Sequence, residues 1–352
     1  MAANLNDLIN HTSEWLKGTG PNSDIVISSR VRLARNLNKI AFPHWAAKAQ
    51  SEKTLATITE AVEKVDILKG TTIFKLADLD VLDKQFLVER HLMSREHAQK
   101  PNNKAVVIDH DEIVSIMINE EDHLRCQVMQ SGFNLFEAWH IIDRIDDALA
   151  KELPYAFLDD WGYLTACPTN TGTGMRGSVM LHLPALVVTR QINKILAAIS
   201  KLSFTARGLF GEGTEATGNF FQISNQVSMG QSEIEVIESI NSLIRQIVDQ
   251  ESQARQVLLT QNRAMLEDRI NRSFGILKSA RIISSQETLE LLSMVRLGSD
   301  LGILKDLDSR KINELFIITQ PAHLQKLEGK KLSSEERDIK RAEIIRSKLQ
   351  IG

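Results

Sequence analysis

The sequence predicts an α+β protein: a large antiparallel sheet flanked by helices over residues 1–255, then an all-α domain over residues 256–352. Three observations predict it. Short apolar, β-branched runs follow one another through residues 104–129 with connections too short for crossover helices, which implies antiparallel pairing. Longer segments with helical spacing of apolar residues, such as Leu135, Ala138, Trp139, Ile142, Ile145 and Leu149, lie between the strand runs. From about residue 255 aromatic residues nearly vanish and helix follows helix.

A chain of 352 residues suits about two domains. Its 43% hydrophobic and 25% charged residues are those of a soluble globular protein, and a net charge of −3 excludes the basic field of a general nucleic-acid binder. Two cysteines, Cys126 and Cys167, cannot build a disulfide framework and point to a reducing compartment. The N-terminus lacks the basic start and apolar core of a secretory signal, and no apolar run reaches the length of about 18 residues that a membrane span needs. The expectation is a cytoplasmic protein with no membrane and no direct nucleic-acid partner.

In chain order, residues 1–20 read as a short helix ending at Gly18-Thr19-Gly20-Pro21. Asp24 to Arg35 opens as a strand on which Arg30 and Arg32 flank Val31 and so share a face. Two guanidinium groups side by side either bracket an anion or are solvated charges on an edge strand. Residues 49–69 and 83–99 read as helices, the second carrying His91. Strands follow at 105–108, 113–118 and 124–129, then a helix at 135–152.

Between the last two of those strands lies Asn119-Glu120-Glu121-Asp122-His123 with Arg125 just beyond. It is either a charged hairpin turn or chemistry presented on rigid elements. Gly162 to Pro168 reads as a strand that enters a glycine-rich loop, Thr169 to Ser178, and then a helix from about Leu183 to Leu196. Gly172, Gly174 and Gly177 match the dinucleotide fingerprint in form, but the acidic ribose ligand about 20 residues on is missing. No Gly-Lys-Ser/Thr of a P-loop is present either. A second loop, Arg207-Gly208-Leu209-Phe210-Gly211-Glu212, also joins an arginine to glycines, and a strand at 219–225 follows. Ser232 and Glu235 form a capping box for a helix with Ile237, Ile240, Ile244, Ile247 and Val248 as its stripe. Gly298 and Gly302 read as turns, and Ser333 with Glu336 caps a last helix carrying Arg337 and Arg341 on one face. Those two arginines either pair locally with Glu335, Glu336 and Asp338 or clamp a phosphorylated ligand.

Arg30, Arg32, Arg125, Arg176 and Arg207 together could neutralise a triphosphate without a P-loop. Ser28-Ser29-Arg30-Val31-Arg32, Asn119-Glu120-Glu121-Asp122-His123 and Cys167-Pro168-Thr169-Asn170-Thr171-Gly172-Thr173-Gly174-Met175-Arg176 resemble the signature segments of the phosphagen (guanidino) kinases. Nearly the whole chain resembles the bacterial protein-arginine kinases of that family, and Arg337-Asp338-Ile339-Lys340-Arg341-Ala342 matches their phosphoarginine-binding RDxxRA motif.

The resemblance implies ATP- and Mg²⁺-dependent phosphorylation of arginine side chains in proteins. By motif match, Ser28, Ser29, Arg30, Val31, Arg32, His91, Arg125, Arg176, Gly177, Ser178, Val179, Met180, Arg207, Gly208, Leu209, Phe210, Gly211 and Glu212 would hold the nucleotide. Glu121 would be the catalytic carboxylate with Glu120 supporting it, Cys167 would meet the substrate guanidinium, and Arg337, Asp338 and Arg341 would bind phosphoarginine. Mg²⁺ would bridge the phosphates with few or no protein ligands. The family further implies a homodimer, an activator protein, modulation of regulators and the marking of proteins for a Clp-type unfoldase and protease. A kinase of free small guanidines and a phosphoarginine-binding adaptor are the competing functions, with a metal hydrolase built on Glu121, Asp122 and His123 behind them.

Overall fold

In the computed structural model, residues 5–208 and 217–349 are described. Helix α1 (Leu5–Asn10) and a 3₁₀ turn (Glu14–Leu16) lead into β1 (Val26–Arg35). Helix α2 (Lys48–Lys64), β2 (Thr72–Lys75), α3 (Val81–Glu89) and α4 (Arg95–Ala98) come next. A meander of β3 (Ala105–Ile108), β4 (Val114–Ile118) and β5 (Leu124–Ser131) precedes α5 (Leu135–Ala150). A small hairpin, β6 (Phe157–Leu158) and β7 (Gly162–Tyr163), is followed by β8 (Met175–His182), α6 (Pro184–Val188), α7 (Ile192–Lys201), β9 (Phe204–Arg207) and β10 (Phe220–Asn225). The rest is helical: α8 (Glu233–Gln261), α9 (Arg263–Ser279), α10 (Ser285–Asp300), α11 (Ser309–Ile318), α12 (Pro321–Glu328) and α13 (Ser334–Lys348).

Eight strands form one sheet in the order β2-β3-β4-β5-β1-β8-β10-β9, every neighbouring pair antiparallel. The expected α+β fold with a large antiparallel sheet and a helical C-terminal region is what the chain adopts. β1 is central, paired on both sides, so Arg30 and Arg32 are not edge-strand charges.

Because side chains alternate along a strand, one face of the sheet is apolar: Val31 and Leu33 of β1, Cys126 and Val128 of β5, and Val179 and Leu181 of β8. Helices α2, α5 and α8 cover it, and each isoleucine that α8 buries there (Ile237, Ile240, Ile244) is worth about 2 kcal/mol. At Gly177 the approach of α8 is so close that a Cβ would stand 2.6 Å from Ile240 Cδ1, so any larger residue there would push the end of that side chain aside.

The other face is divided. A bulge between Val26 and Ser28 resets the alternation of β1 and turns Ile27 to the side of Arg30 and Arg32. Ile27, Met129, Met180 and Phe220 there share a buried cluster with Leu289, Leu292, Phe316, Ala342 and Ile345 of the C-terminal helices. Helix α8 carries the chain unbroken through residue 255.

Four local expectations differ from the structure. The helix expected over 83–99 splits into α3 and α4, because His91 takes a positive φ of 61° after Arg90 swings into a buried ion pair with Glu112. The glycine-rich segment entered from Cys167 is a loop only to Gly174; Met175 onward is the sheet's β8, and the strand expected at 162–168 is just the short β7. The helix expected from Leu183 to Leu196 breaks into α6 and α7 around Arg190, φ 61°. Gly298 is no turn: it lies inside α10, where an added Cβ would stand 2.4 Å from Ile270 Cγ2.

Candidate active site

The open half of the sheet's polar face is the floor of a cleft of about 920 Å³. Register explains its lining. Arg32 pairs with Gln127 on β5 and with Arg176 on β8, Arg30 with Ser178, Ser178 with Ser224, and Gln222 with Arg207. Side chains directly opposite on neighbouring strands share a face, so residues far apart in sequence converge. Arg30, Arg32, Arg125, Arg176 and Arg207 all line the cleft, together with His91, Glu120, Glu121 and Cys167.

Crowding of like charges marks this floor. Arg30 donates from Nε to Ser178 Oγ at 3.3 Å, and Arg176 from Nη2 to Ser224 Oγ at 3.2 Å, both neutral acceptors. Burial, reinforced by Arg125, Arg176 and Arg207, lowers the Arg30 pKa to about 9. Arg32 is driven down by burial and by Arg30, Arg125 and Arg176, and its Nε finds no hydrogen-bond partner among the described residues. Burial and crowding disfavour the charges of Arg30 and Arg32, and an anion placed between them relieves that cost. His91 is a neutral imidazole, since burial and the nearby Arg30 and Arg95 push its pKa to about 3.

The segment Asn119–His123 is a tight turn, closed by Asn119 N–H donating to His123 O at 2.9 Å, and it also presents carboxylates to the cleft. Glu120 is buried and accepts from Arg125 Nη1 at 2.6 Å and Ser94 Oγ at 2.5 Å. Burial alone would raise its pKa, but the Arg125 guanidinium and these hydrogen bonds hold it down to about 2. Glu121 is half-exposed in the cleft, and burial plus the charge of Asp122 raise its pKa. Two adjacent carboxylates thus differ: one is a fixed counter-ion, and the other is half-exposed with a raised pKa.

Asp122 and His123 serve the scaffold. Asp122 Oδ1 accepts from Asn36 Nδ2 at 2.6 Å and Ala166 N at 2.7 Å. His123 Nδ1 accepts from Leu37 N at 3.0 Å, while its Nε2 lies 3.0 Å from Ala41 O. These bonds tie the turn to the end of β1 and to the segment carrying Cys167, and they turn both residues away from the metal-hydrolase arrangement. Cys167 is half-exposed, its Sγ 3.0 Å from Thr169 Oγ1.

Other expected nucleotide contacts are not side chains of the cleft. Val31 and Val179 belong to the apolar face, and Gly177 lies under α8. Ser29 is buried, its Oγ donating to Gly132 O at 2.8 Å. Ser28, Ser178 and Met180 line a small adjoining recess with Trp15. Gly208 is buried beside Arg207, while Leu209, Phe210, Gly211 and Glu212 lie outside the described residues. Conversely, Arg95, Lys100 and Lys104 line the cleft and were not expected. The cation spacing of that segment was a signal, obscured by reading 83–99 as one helix.

The RDxxRA residues sit on α13, none of them in the cleft lining. Arg341 is buried and donates to Thr319 O and Ile283 O, each at 2.9 Å, and to Asp338. Arg337 is half-buried one turn earlier.

A family model described as "ATP:guanido phosphotransferase, C-terminal catalytic domain" matches residues 53–254, and one described as "Protein-arginine kinase McsB C-terminal domain" matches residues 263–351. A protein-arginine kinase of Halothermothrix orenii is 50% identical over 348 residues, covering 99% of both chains. The chain belongs to the protein-arginine kinase family of ATP:guanido phosphotransferases. The protein-arginine kinase of Bacillus subtilis is 45% identical over 96% of this chain and 94% of its own. Among solved structures, a lombricine kinase superposes with a TM-score of 0.60 at 25% identity, covering 73% of this chain and 72% of the other. Like the family it belongs to, this phosphotransferase combines the sheet and the C-terminal helices in one chain, and no described helix is long and apolar enough to cross a membrane.

Proposed function

We propose that this enzyme transfers the γ-phosphoryl group of ATP to a guanidino nitrogen of arginine side chains in proteins. The observation that carries the reading is the pairing, in one cleft, of five arginines with Glu121, a carboxylate whose proton affinity is raised. A triphosphate is the anion that such a wall accommodates, since phosphoryl transfer asks the protein chiefly to position reactants and stabilise charge. Arg30, Arg32, Arg125, Arg176 and Arg207 are assigned to the phosphates with His91 beside them. The backbone of Ser28–Arg32 and Arg176–Met180 forms the floor.

The acceptor is itself a cation and would be repelled by that wall. Glu121, with Glu120 and Asp122 behind it, offsets the repulsion at the turn. A guanidinium pKa above about 12 forbids simple deprotonation in the ground state. Glu121 therefore orients the guanidinium through paired hydrogen bonds and takes its proton as the N–P bond forms. Cys167, which also lines the cleft, is assigned to the same group. Mg²⁺ supplies further charge neutralisation when bound. Glu120 is committed to Arg125 and Ser94, and Asp122 to Asn36 and Ala166, which leaves that cation to the nucleotide rather than to a protein cage.

Relatives named protein-arginine kinase over essentially the full length support proteins rather than free guanidines as substrates. The family likeness also supports a cytoplasmic homodimer, an activator partner, control of regulators and the marking of proteins for a Clp-type protease. For the RDxxRA segment, we assign phosphoarginine contact to Arg337 and Asp338, with Arg341 bracing the motif from inside. The decisive experiment incubates the enzyme with ATP and an arginine-rich protein, then looks for acid-labile phosphate on arginine by mass spectrometry. Absence of phosphoarginine, or full activity in Glu121→Ala, sinks the proposal. Faster turnover of free arginine than of protein moves it to the small-molecule kinases.

A further inference from the structure

A second group of ligand-bearing side chains lies away from the cleft, where the N-terminal segment meets the β3–β4 turn. His11 follows α1, and His110 and Asp111 stand in that turn. Each offers one donor atom, and the three atoms lie within 4.8 Å of one another. His11 Nε2 is 3.8 Å from Asp111 Oδ1, and His110 Nδ1 is 3.6 Å from the same oxygen. The two imidazoles meet edge to face with centroids 4.9 Å apart.

What sets this group apart from chance surface residues is the support behind His11. Its Nδ1 is closed off from solvent, with Glu112 Oε1 3.7 Å away. Glu112 is fully buried at a positive φ of 59° and is fixed by Arg90 Nε at 2.9 Å and Ser13 Oγ at 2.9 Å. A carboxylate behind one ring nitrogen, with the other nitrogen turned toward the remaining donors, is the arrangement in which metal-binding histidines are held. His11 Nε2 faces the Asp111 carboxylate oxygen.

We infer that His11, His110 and Asp111 bind a divalent transition-metal cation of the Zn²⁺ class. Two imidazoles and one carboxylate suit Zn²⁺, whereas Mg²⁺ and Ca²⁺ prefer oxygen donors throughout. Metal–ligand distances of about 2.0–2.2 Å require the donors to close in by roughly 1 Å. His110 and Asp111 are exposed and can do so by side-chain rotation, with water completing the shell. The backbone is already tied across the site, Glu14 N–H donating to Asp111 O at 3.1 Å.

The site takes no part in phosphoryl transfer. It clamps the N-terminal segment onto the sheet next to Trp15, whose ring packs edge-on against His91 of the cleft at 5.3 Å between centroids. It is a brace behind the nucleotide side of the enzyme.

The test is calorimetric titration of ZnCl₂ into the full-length, tag-free protein after EDTA treatment, with a Cys167→Ser control because that thiol is accessible. The expected result is one Zn²⁺ per chain, unaffected by millimolar Mg²⁺ and by Cys167→Ser, with a rise in melting temperature. His110→Gln, an exposed change, weakens binding at least about tenfold, as does His11→Gln. Zn²⁺ binding of unchanged affinity in His110→Gln, or no melting shift with Zn²⁺ in the wild type, overturns the inference and leaves the three side chains as a polar surface cluster. Neither result bears on whether the enzyme phosphorylates arginine.

Discussion

Replacing Glu120 by glutamine tests the electrostatic account of the cleft. The amide keeps the shape; its oxygen can accept from Arg125 while its NH₂ donates to Ser94 Oγ, but the charge that offsets the arginines is gone. The carboxyl pKa falls from an ordinary 4.5 to about 2 in the folded enzyme, which corresponds to about 3 kcal/mol of stability at neutral pH. The sign follows from the depression. The contribution is fully present above the unfolded-state pKa and is lost as pH falls from about 4.5 toward 2. Urea unfolding at pH 7 should therefore find Glu120→Gln less stable by roughly 3 kcal/mol, in line with other buried pairs stripped of one partner. At pH 3 to 3.5 the gap should shrink by about half. Saturating ATP should narrow it at pH 7, because the nucleotide supplies negative charge to the same wall. A variant as stable as wild type at pH 7, or a gap unchanged between pH 7 and pH 3.5, would refute the reasoning.

Four further outcomes are expected. Glu121→Gln should retain ATP binding by calorimetry while turnover falls by about 10²-fold or more, and the wild-type pH–rate profile should lose activity on the acid side at a pH above the ordinary carboxylate value. Arg32→Gln should raise the melting temperature of the nucleotide-free enzyme by relieving like-charge crowding, on the order of 1 kcal/mol, yet weaken ATP binding; a destabilised empty enzyme would contradict this. Arg341→Ala should destabilise the fold by about 3 kcal/mol, since it strands the Thr319 and Ile283 carbonyls, whereas Arg337→Ala should spare stability and lower phosphoarginine affinity, as thermal melts and binding assays would show. Gly298→Ala should cost about 1–3 kcal/mol in thermal unfolding, because the new methyl on α10 meets Ile270 of α9.

Much of this was legible from residue order alone. Alternation placed Arg30 and Arg32 on one face, the capping boxes at Ser232 and Ser333 marked the starts of α8 and α13, and the strand–turn–strand reading of residues 113–129 matches β4 and β5. What the sequence hid depends on partners distant in the chain. Nothing near His91 signals that Arg90 must leave the helix to meet Glu112, so α3 and α4 looked continuous. Met175 to His182 looked like the exit of a glycine loop because its neighbours β1 and β10, which make it a central strand, lie far away in sequence. Arg341 looked solvent-facing on a polar helix; only the packing of α13 against Thr319 and Ile283 buries it. The five arginines were visible singly, but their convergence is a property of register, which sequence does not print.

The bulge between Val26 and Ser28 makes a single strand do two jobs. Toward its C-terminal end β1 presents guanidinium groups to the cleft, and toward its N-terminal end Ile27 is sealed beneath the C-terminal helices. Reading frame along this strand is therefore a functional variable. Deleting one residue at the bulge would restore strict alternation, and then either the cations or the apolar anchor would face the wrong medium. Any event that shifts the C-terminal helices also reaches Arg30 from Ile27 through only two intervening residues, Ser28 and Ser29. The helices are thus mechanically in series with the catalytic floor rather than appended to it.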